Sequence, residues 1–202
     1  VELSDALAAR RSCRAYSAAP VPDDVVDRVC AAALRAPTAG NTWALDLVVV
    51  DRPAGYWDVT LPEGPRRERF PWPGLLDAPL LVIPVVDPDA YVERYAEPDK
   101  ARTGLGRGTD AWPVPYWWVD AGAATMAMLL AATAEGLGSL LFGQFGHEPA
   151  VAAAFGIPAG RRAVGTVALG WPATEPGGAT RPSASARRGR PSTDDIVHRG
   201  RW

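Results

Sequence analysis

Between Asp120 and Glu135 the chain reads AGAATMAMLLAATA, fourteen consecutive residues without a charge. Extended back to about Pro115, this run predicts a helix that is apolar nearly all round and has no face to give to water. It falls short of the ~18 charge-free apolar residues of a membrane span. The helix therefore belongs at the centre of a fold or of a dimer. With 202 residues, 48% of them hydrophobic, the chain is long enough for one domain around one core. A single domain over residues 1–202 is expected, with residues 172–202, rich in Pro, Gly, Ser and Arg, as an extended C-terminal tail.

The remaining elements follow from periodicity and punctuation. Ser4 can cap a short helix on which Leu3, Ala6 and Leu7 share a face. After Pro20 and Pro22, Asp23 and Asp24 suit the positive end of a helix whose Val25, Val26, Val29, Cys30, Ala33 and Leu34 form a core stripe. Pro37 stops it, and a small-residue loop leads to the strand LDLVVVD. PLLVIPVV at 79–86 reads as a second strand, in which Pro84 requires an edge or bulge position. After the apolar helix, Gly136 is the stop, GLGSLLFGQF contains a short strand running into Gly143, EPAVAAAF is a helix closed by Gly156, and RAVGTVALG is a strand. Helix, helix, strand, strand, helix, strand, helix, strand is the order of an α+β fold with helices packed on one sheet. Residues 53–78 and 88–115 show little periodicity and read as long excursions, whose Trp57, Trp72 and Trp112 pack on the domain, a ligand or a second subunit. GLGRG at 104–108 neither follows a strand nor opens a helix and reads as a flexible loop.

Charge and composition exclude several functions. The formal net charge is −2, so the chain carries no global footprint for nucleic acid or an anionic membrane. Cys13 and Cys30 lie outside any metal-ligand spacing and are too few for a disulfide framework. The opening VELSDALAARRS lacks the apolar core of a signal peptide, and a reduced, cytoplasmic protein is expected. His147 and His198 are the only histidines and stand in no cluster, so no metal site is expected. A Gly-x-Ser-x-Gly elbow and a Walker-type phosphate loop are both missing.

Two arginine clusters remain. RRSCRAY at 10–16 places Arg10, Arg11 and Arg14 around Ser12, and ARRGRPS places Arg187, Arg188 and Arg190 near the far end. Arginine forks pair bidentately with phosphate oxygens, and two clusters can converge on one phosphate. By charge alone, each can equally be a solvated face.

RRSCRAY, followed by about twenty residues of amphipathic helix and then APTAGN, resembles the opening of the flavin-dependent nitroreductase family. In that family an Arg-x-Ser-x-Arg segment and a Pro-Ser/Thr-x-x-Asn loop line the FMN site. DAGAATMAMLLAATAEGLGS resembles its long central helix, VGTVALGWP its penultimate strand and RRGRPSTDDIVH its phosphate-contacting tail. The resemblance runs nearly end to end and implies the nitroreductase-like α+β fold, a central mixed or antiparallel sheet flanked by helices in an intertwined homodimer.

It also implies a site. Arg10, Arg11, Ser12 and Arg14 belong to the segment that contacts FMN at its phosphate, ribityl chain or pyrimidine edge, and Arg188 and Arg190 close on the phosphate. Pro37, Thr38, Ala39 and Asn41 match the loop that reaches the flavin of the other subunit. Phe142 and Gly143 match the segment against flavin N5, where a backbone N–H can donate and no side chain impedes approach. The implied activity is hydride transfer from NAD(P)H through FMN to a nitroaromatic, quinone or related small-molecule acceptor, with no side chain required as general base. Where many members continue from the Asn with Gln-Pro-Trp, this chain has Trp43, Ala44 and Leu45. That departure leaves open a specialised flavin dehydrogenase, a deazaflavin-linked enzyme, or a flavin-binding protein without turnover.

Overall fold

The computed structural model describes residues 1–173 and 188–202; Arg187 lies outside them. In chain order the helices and strands are α1 (Leu3–Ala9), α2 (Asp23–Ala32), β1 (Leu45–Val50), α3 (Ala54–Thr60), α4 (Pro65–Glu68), β2 (Leu80–Val86), α5 (Pro88–Ala96), α6 (Tyr116–Ala134), β3 (Gly138–Phe142), α7 (Glu148–Ala154), β4 (Arg162–Ala163), β5 (Thr166–Gly170) and α8 (Thr193–Ile196). No helix among the described residues is long and apolar enough to cross a membrane.

The sheet runs β1-β2-β5-β3, with β4 on the far end of β2, and every ladder is antiparallel. Alternation along β2 feeds two cores, as a period of two requires. Leu80 and Val82 join Val29 of α2 and Met128 of α6 on one face. Leu81, Ile83 and Val85 join Tyr56, Trp57, Leu140 and Val151 on the other. Helices thus flank both faces.

Pro84 sits in a fully buried strand between two neighbours, and the bulge expected for it is present. The pairing steps by one residue between Val82↔Val167 and Val85↔Ala163. Pro84 accepts from the Val164 N–H at 2.9 Å. Its nitrogen faces the same interrupted side, where no ladder bond is lost. Gly165 makes the step with φ +151, and a Cβ there would lie 2.7 Å from the Phe142 carbonyl oxygen.

α6 buries Trp117, Ala121, Ala124, Met128 and Ala132 against α2 and the sheet, but not its whole circumference. Tyr116, Val119 and Met126 are exposed along one stripe, and a Cβ at Gly122 would meet nothing. The helix anticipated as buried all round therefore leaves one apolar face uncovered in the single chain. Arg28 ties α2 to its C-terminus, donating to Asp24 at 2.8 Å and to both Glu135 oxygens at 2.9 Å.

Several expectations need correction. Ser4 lies inside α1, whose N-cap is Glu2. The two excursions are structured. Residues 53–78 contain α3 and α4, and residues 88–115 begin with α5, capped by Asp87 with Pro88 in its first turn. Residues 104–108 are packed rather than free: a Cβ on Gly106 would come within 2.5 Å of the Ala96 nitrogen. Trp57 and Trp112 are buried by the domain itself. In the described part of the tail, Ser192 and Asp195 form a capping box on α8, so that segment is not extended throughout.

Candidate functional site

The segment carrying Arg10 to Arg14 is fixed by the edge of the sheet. Ser12 bridges Ser139 in parallel, and the Cys13 N–H donates to the Ser139 carbonyl at 2.9 Å. Cys13 fills space against Gly138, where a Cβ would lie 2.7 Å from Sγ. Arg14, next along, lines a cleft of about 470 Å³ together with Phe142 and Gly143 at the end of β3.

The cleft is walled by aromatic rings. Trp57 and Phe142 lie nearly parallel, 11° between planes and 5.9 Å between centroids. Trp72 meets Phe70 edge-on at 5.8 Å, and the Arg14 guanidinium carbon lies 5.3 Å from the Trp72 centroid. That is cation–π range. It places the cation at the apolar wall and leaves its N–H edges for an anion.

Behind the rings runs a buried polar chain. Gln144 Nε2 donates to Thr166 Oγ1 at 3.0 Å and to the Gly165 carbonyl at 3.4 Å, and Thr166 Oγ1 shares a 2.8 Å bond with the Tyr56 hydroxyl. Burial pushes Tyr56 up to about 12, so it stays protonated at neutral pH. Gln144 Oε1 and Trp57 Nε1 are buried with no partner among the described residues. The cleft combines an apolar wall rich in aromatic rings with one arginine over Trp72. Those residues fit a flat heteroaromatic ring bearing a phosphate, such as FMN. A larger groove of about 1040 Å³ between α2 and β1 has Asp23, Asp27, Asp51 and Asp77 in its wall, the wrong sign for a phosphate. Among the described residues no group of three or more His, Cys, Asp or Glu could hold a metal.

The structure brings together only part of the expected residue set. Arg14, Phe142 and Gly143 share the cleft, and Arg10 and Ser12 lie on the same segment. Arg11 instead folds back on α1, donating to the Ala8 carbonyl and to the Arg10 carbonyl at 2.8 Å. It closes helix carbonyls rather than facing the cleft. Pro37, Thr38, Ala39 and Asn41 are not in the cleft of their own chain. They lie against α5 and α6, where Asp120 accepts from the Ala39 N–H at 2.7 Å and from the Tyr91 hydroxyl at 2.8 Å. Arg188 and Arg190 are exposed and line no described part of the cleft.

Sequence reasoning missed Tyr56, Gln144 and Phe145. Phe145 is 87% exposed at φ +48, and its ring lies over Gly143, 2.9 Å from where a Cβ would be. The available signals were the aromatic density of residues 56–72 and the Gly-Gln-Phe-Gly run after β3.

An NADH dehydrogenase of Thermus thermophilus is 29% identical over 184 residues, covering 82% of this chain and 84% of that protein. A nitroreductase family protein of Streptococcus pneumoniae superposes with a TM-score of 0.74 at 18% identity, covering 98% of this chain and 99% of that one. An FMN-dependent nitroreductase of Clostridium difficile does so with a TM-score of 0.66 at 18% identity and 98% coverage of both chains. At such identities the structural likeness concerns the fold. The Nitroreductase family model matches residues 7–171, from the first helix through the last sheet strand, and the chain belongs to that family.

Proposed function

We propose that the chain is an FMN-dependent NAD(P)H oxidoreductase that passes electrons to a small acceptor such as a nitroaromatic or quinone. The observation that carries the reading is Arg14, its guanidinium carbon 5.3 Å over the Trp72 ring, in a cleft that Phe142 and Gly143 also line. Family membership supports it, as do relatives described as an NADH dehydrogenase and an FMN-dependent nitroreductase.

Bound FMN supplies hydride acceptance from a nicotinamide and hydride or electron donation to the second substrate. Arg14, with Arg10 and Ser12, holds the phosphate and ribityl end by charge-assisted hydrogen bonds. Trp57 and Phe142 hold the ring system by apolar contact and limit water around it. The Gly143 N–H is assigned by resemblance to donate to the flavin ring, and the buried Gln144 side chain pins the segment that carries it. Tyr56 and Thr166 keep that segment in register. No side chain is required to abstract a proton from carbon.

The working unit in this reading is a homodimer. Its support is the uncovered stripe Tyr116, Val119 and Met126 on α6, with Leu3 and Leu7 of α1 also exposed. The position of residues 37–41, away from the cleft of their own chain, fits a loop that serves a second copy. Arg188 and Arg190 are assigned to the phosphate by resemblance alone.

The test is an absorbance spectrum of the purified protein before and after NADH or NADPH without oxygen. A flavin band that bleaches supports the reading. A colourless protein that takes up no added FMN overturns it, and bound flavin inert to both nicotinamides leaves a flavin-binding protein.

A further inference from the structure

Phe145 lacks both of the usual reasons for a phenylalanine. It is 87% exposed, so it adds little to a core, and its backbone is left-handed at φ +48, a conformation strained for any bulky L residue. Such strain persists only where the surroundings fix it, and here they do. The residue before it, Gln144, is buried, and its side chain donates to Thr166 Oγ1 at 3.0 Å. The Gln144 carbonyl accepts from the His147 N–H at 2.9 Å and closes the turn around Phe145.

The ring held in this way rests on Gly143. Its Cζ, Cε2 and Cε1 lie 2.9, 3.1 and 3.2 Å from where a Cβ of Gly143 would stand, so it is the missing side chain that lets the ring settle there. Phe145 also lines the cleft, with Trp57, Phe70, Trp72 and Phe142. Those four pack into or against the core beneath, whereas Phe145 keeps nearly its whole surface open. A strained, open ring beside the backbone assigned to the flavin's reactive edge is placed for a partner that arrives from solution.

We propose that Phe145 is the residue by which the cleft selects its electron acceptor: the ring packs on a planar, uncharged aromatic acceptor and offers no such contact to a compact ionic one. The burial that Phe145 lacks in the free protein is then supplied by the substrate, as an aromatic pair. This inference rests on the flavin reading above, through the assignment of Gly143.

The experiment compares the FMN-loaded full chain with Phe145→Asn, which removes the ring and tolerates positive φ, and Phe145→Tyr, which keeps the ring. Menadione, a planar quinone, and ferricyanide, a compact anion, serve as acceptors, and the ratio of their kcat/KM values is the readout. Phe145→Asn is expected to lower the menadione-to-ferricyanide ratio roughly two- to tenfold, the range of one aromatic pair, and Phe145→Tyr to hold it near the parent's. Flavin-free Phe145→Asn should melt at or above the temperature of the flavin-free parent, because the strain is relieved and no core is lost. An unchanged ratio in Phe145→Asn overturns the proposal. So does an equal fall in Phe145→Tyr, or a lower melting temperature in Phe145→Asn, which would make the ring a structural prop. A parent that takes up no FMN refutes the flavin reading and this inference with it, a result distinct from a loaded parent whose ratio Phe145→Asn leaves unchanged.

Discussion

Arg14 lies over Trp72, its guanidinium carbon 5.3 Å from the ring centroid, and so a cation is held in a cleft lined otherwise by aromatic rings, leucines and a few neutral polar groups. A lysine cannot reproduce this contact, because an ammonium lacks both the plane that stacks and the fork that binds two oxygens. Arg14→Ala is expected to weaken FMN binding by about 1.5–3 kcal/mol, the range for a hydrogen bond to a charged group. Arg14→Lys should fall between it and the parent. Titration of flavin-free protein measures both, and unchanged affinity in Arg14→Ala removes the residue from the phosphate site.

Asp120 is a buried carboxylate on an otherwise apolar helix and serves two donors, the Tyr91 hydroxyl and the Ala39 N–H. Its carboxylate disfavours ionisation of Tyr91, whose pKa is raised first by burial and then by this bond. Asp120→Leu strands both donors and is expected to destabilise the fold by about 2–4 kcal/mol. Asp120→Asn, which keeps an acceptor, should cost less than half as much. Urea unfolding of the two variants tests the assignment, and equal losses would show that the hydrogen bonds do not set the cost.

Glu148, at the first turn of α7, accepts from Arg162 Nε at 2.8 Å and from the Ala163 N–H at 3.1 Å, which fastens β4. The Arg162 hydrogen bond holds its carboxyl below the ordinary value of 4.5. Because the folded value lies below the unfolded one, the stabilisation is full above about pH 4.5 and is lost as pH falls through the folded value. Glu148→Gln should therefore lower thermal stability at pH 7 and flatten its decline in acid. Parallel acid limbs in the melting curves of parent and variant contradict the assignment.

The open stripe of α6 makes a prediction about assembly. Val119→Glu or Met126→Glu places a charge on the face that the proposed dimer would desolvate, and either variant should shift the protein toward monomer. Light scattering after size-exclusion chromatography measures the mass. A parent that runs as a monomer refutes the dimer.

What the sequence disclosed depended on how local each signal was. α2, α6 and the strands around Val48 and Ile83 were legible because runs of apolar residues fix their own partners' faces. Pro84 announced its bulge because an imino nitrogen cannot join a ladder. α5 was missed although Asp87 and Pro88 opened it, since the glycines and short turns that follow obscure its period. Arg14 was legible as part of a dense cluster, and Phe142 with Gly143 through resemblance. Gln144 was not, because its meaning arises only when Thr166 and Tyr56 arrive from other elements. Arg11 is the opposite case, since membership in a charged cluster does not reveal that its guanidinium donates to carbonyls at the end of α1.

The parallel seam between Ser12 and Ser139 also dictates when the arginine segment can take its place during synthesis. Residues 10–16 are made well before their partners: Cys13 must find the carbonyl of Ser139, and the Tyr16 hydroxyl the carbonyl of Ala168, 152 positions further along. Closing so long a loop is slow and comes late. The Arg14 side of the cleft is thus assembled only after Ala168 has been made, and a chain stalled before that point carries the arginine segment without its seat on the sheet.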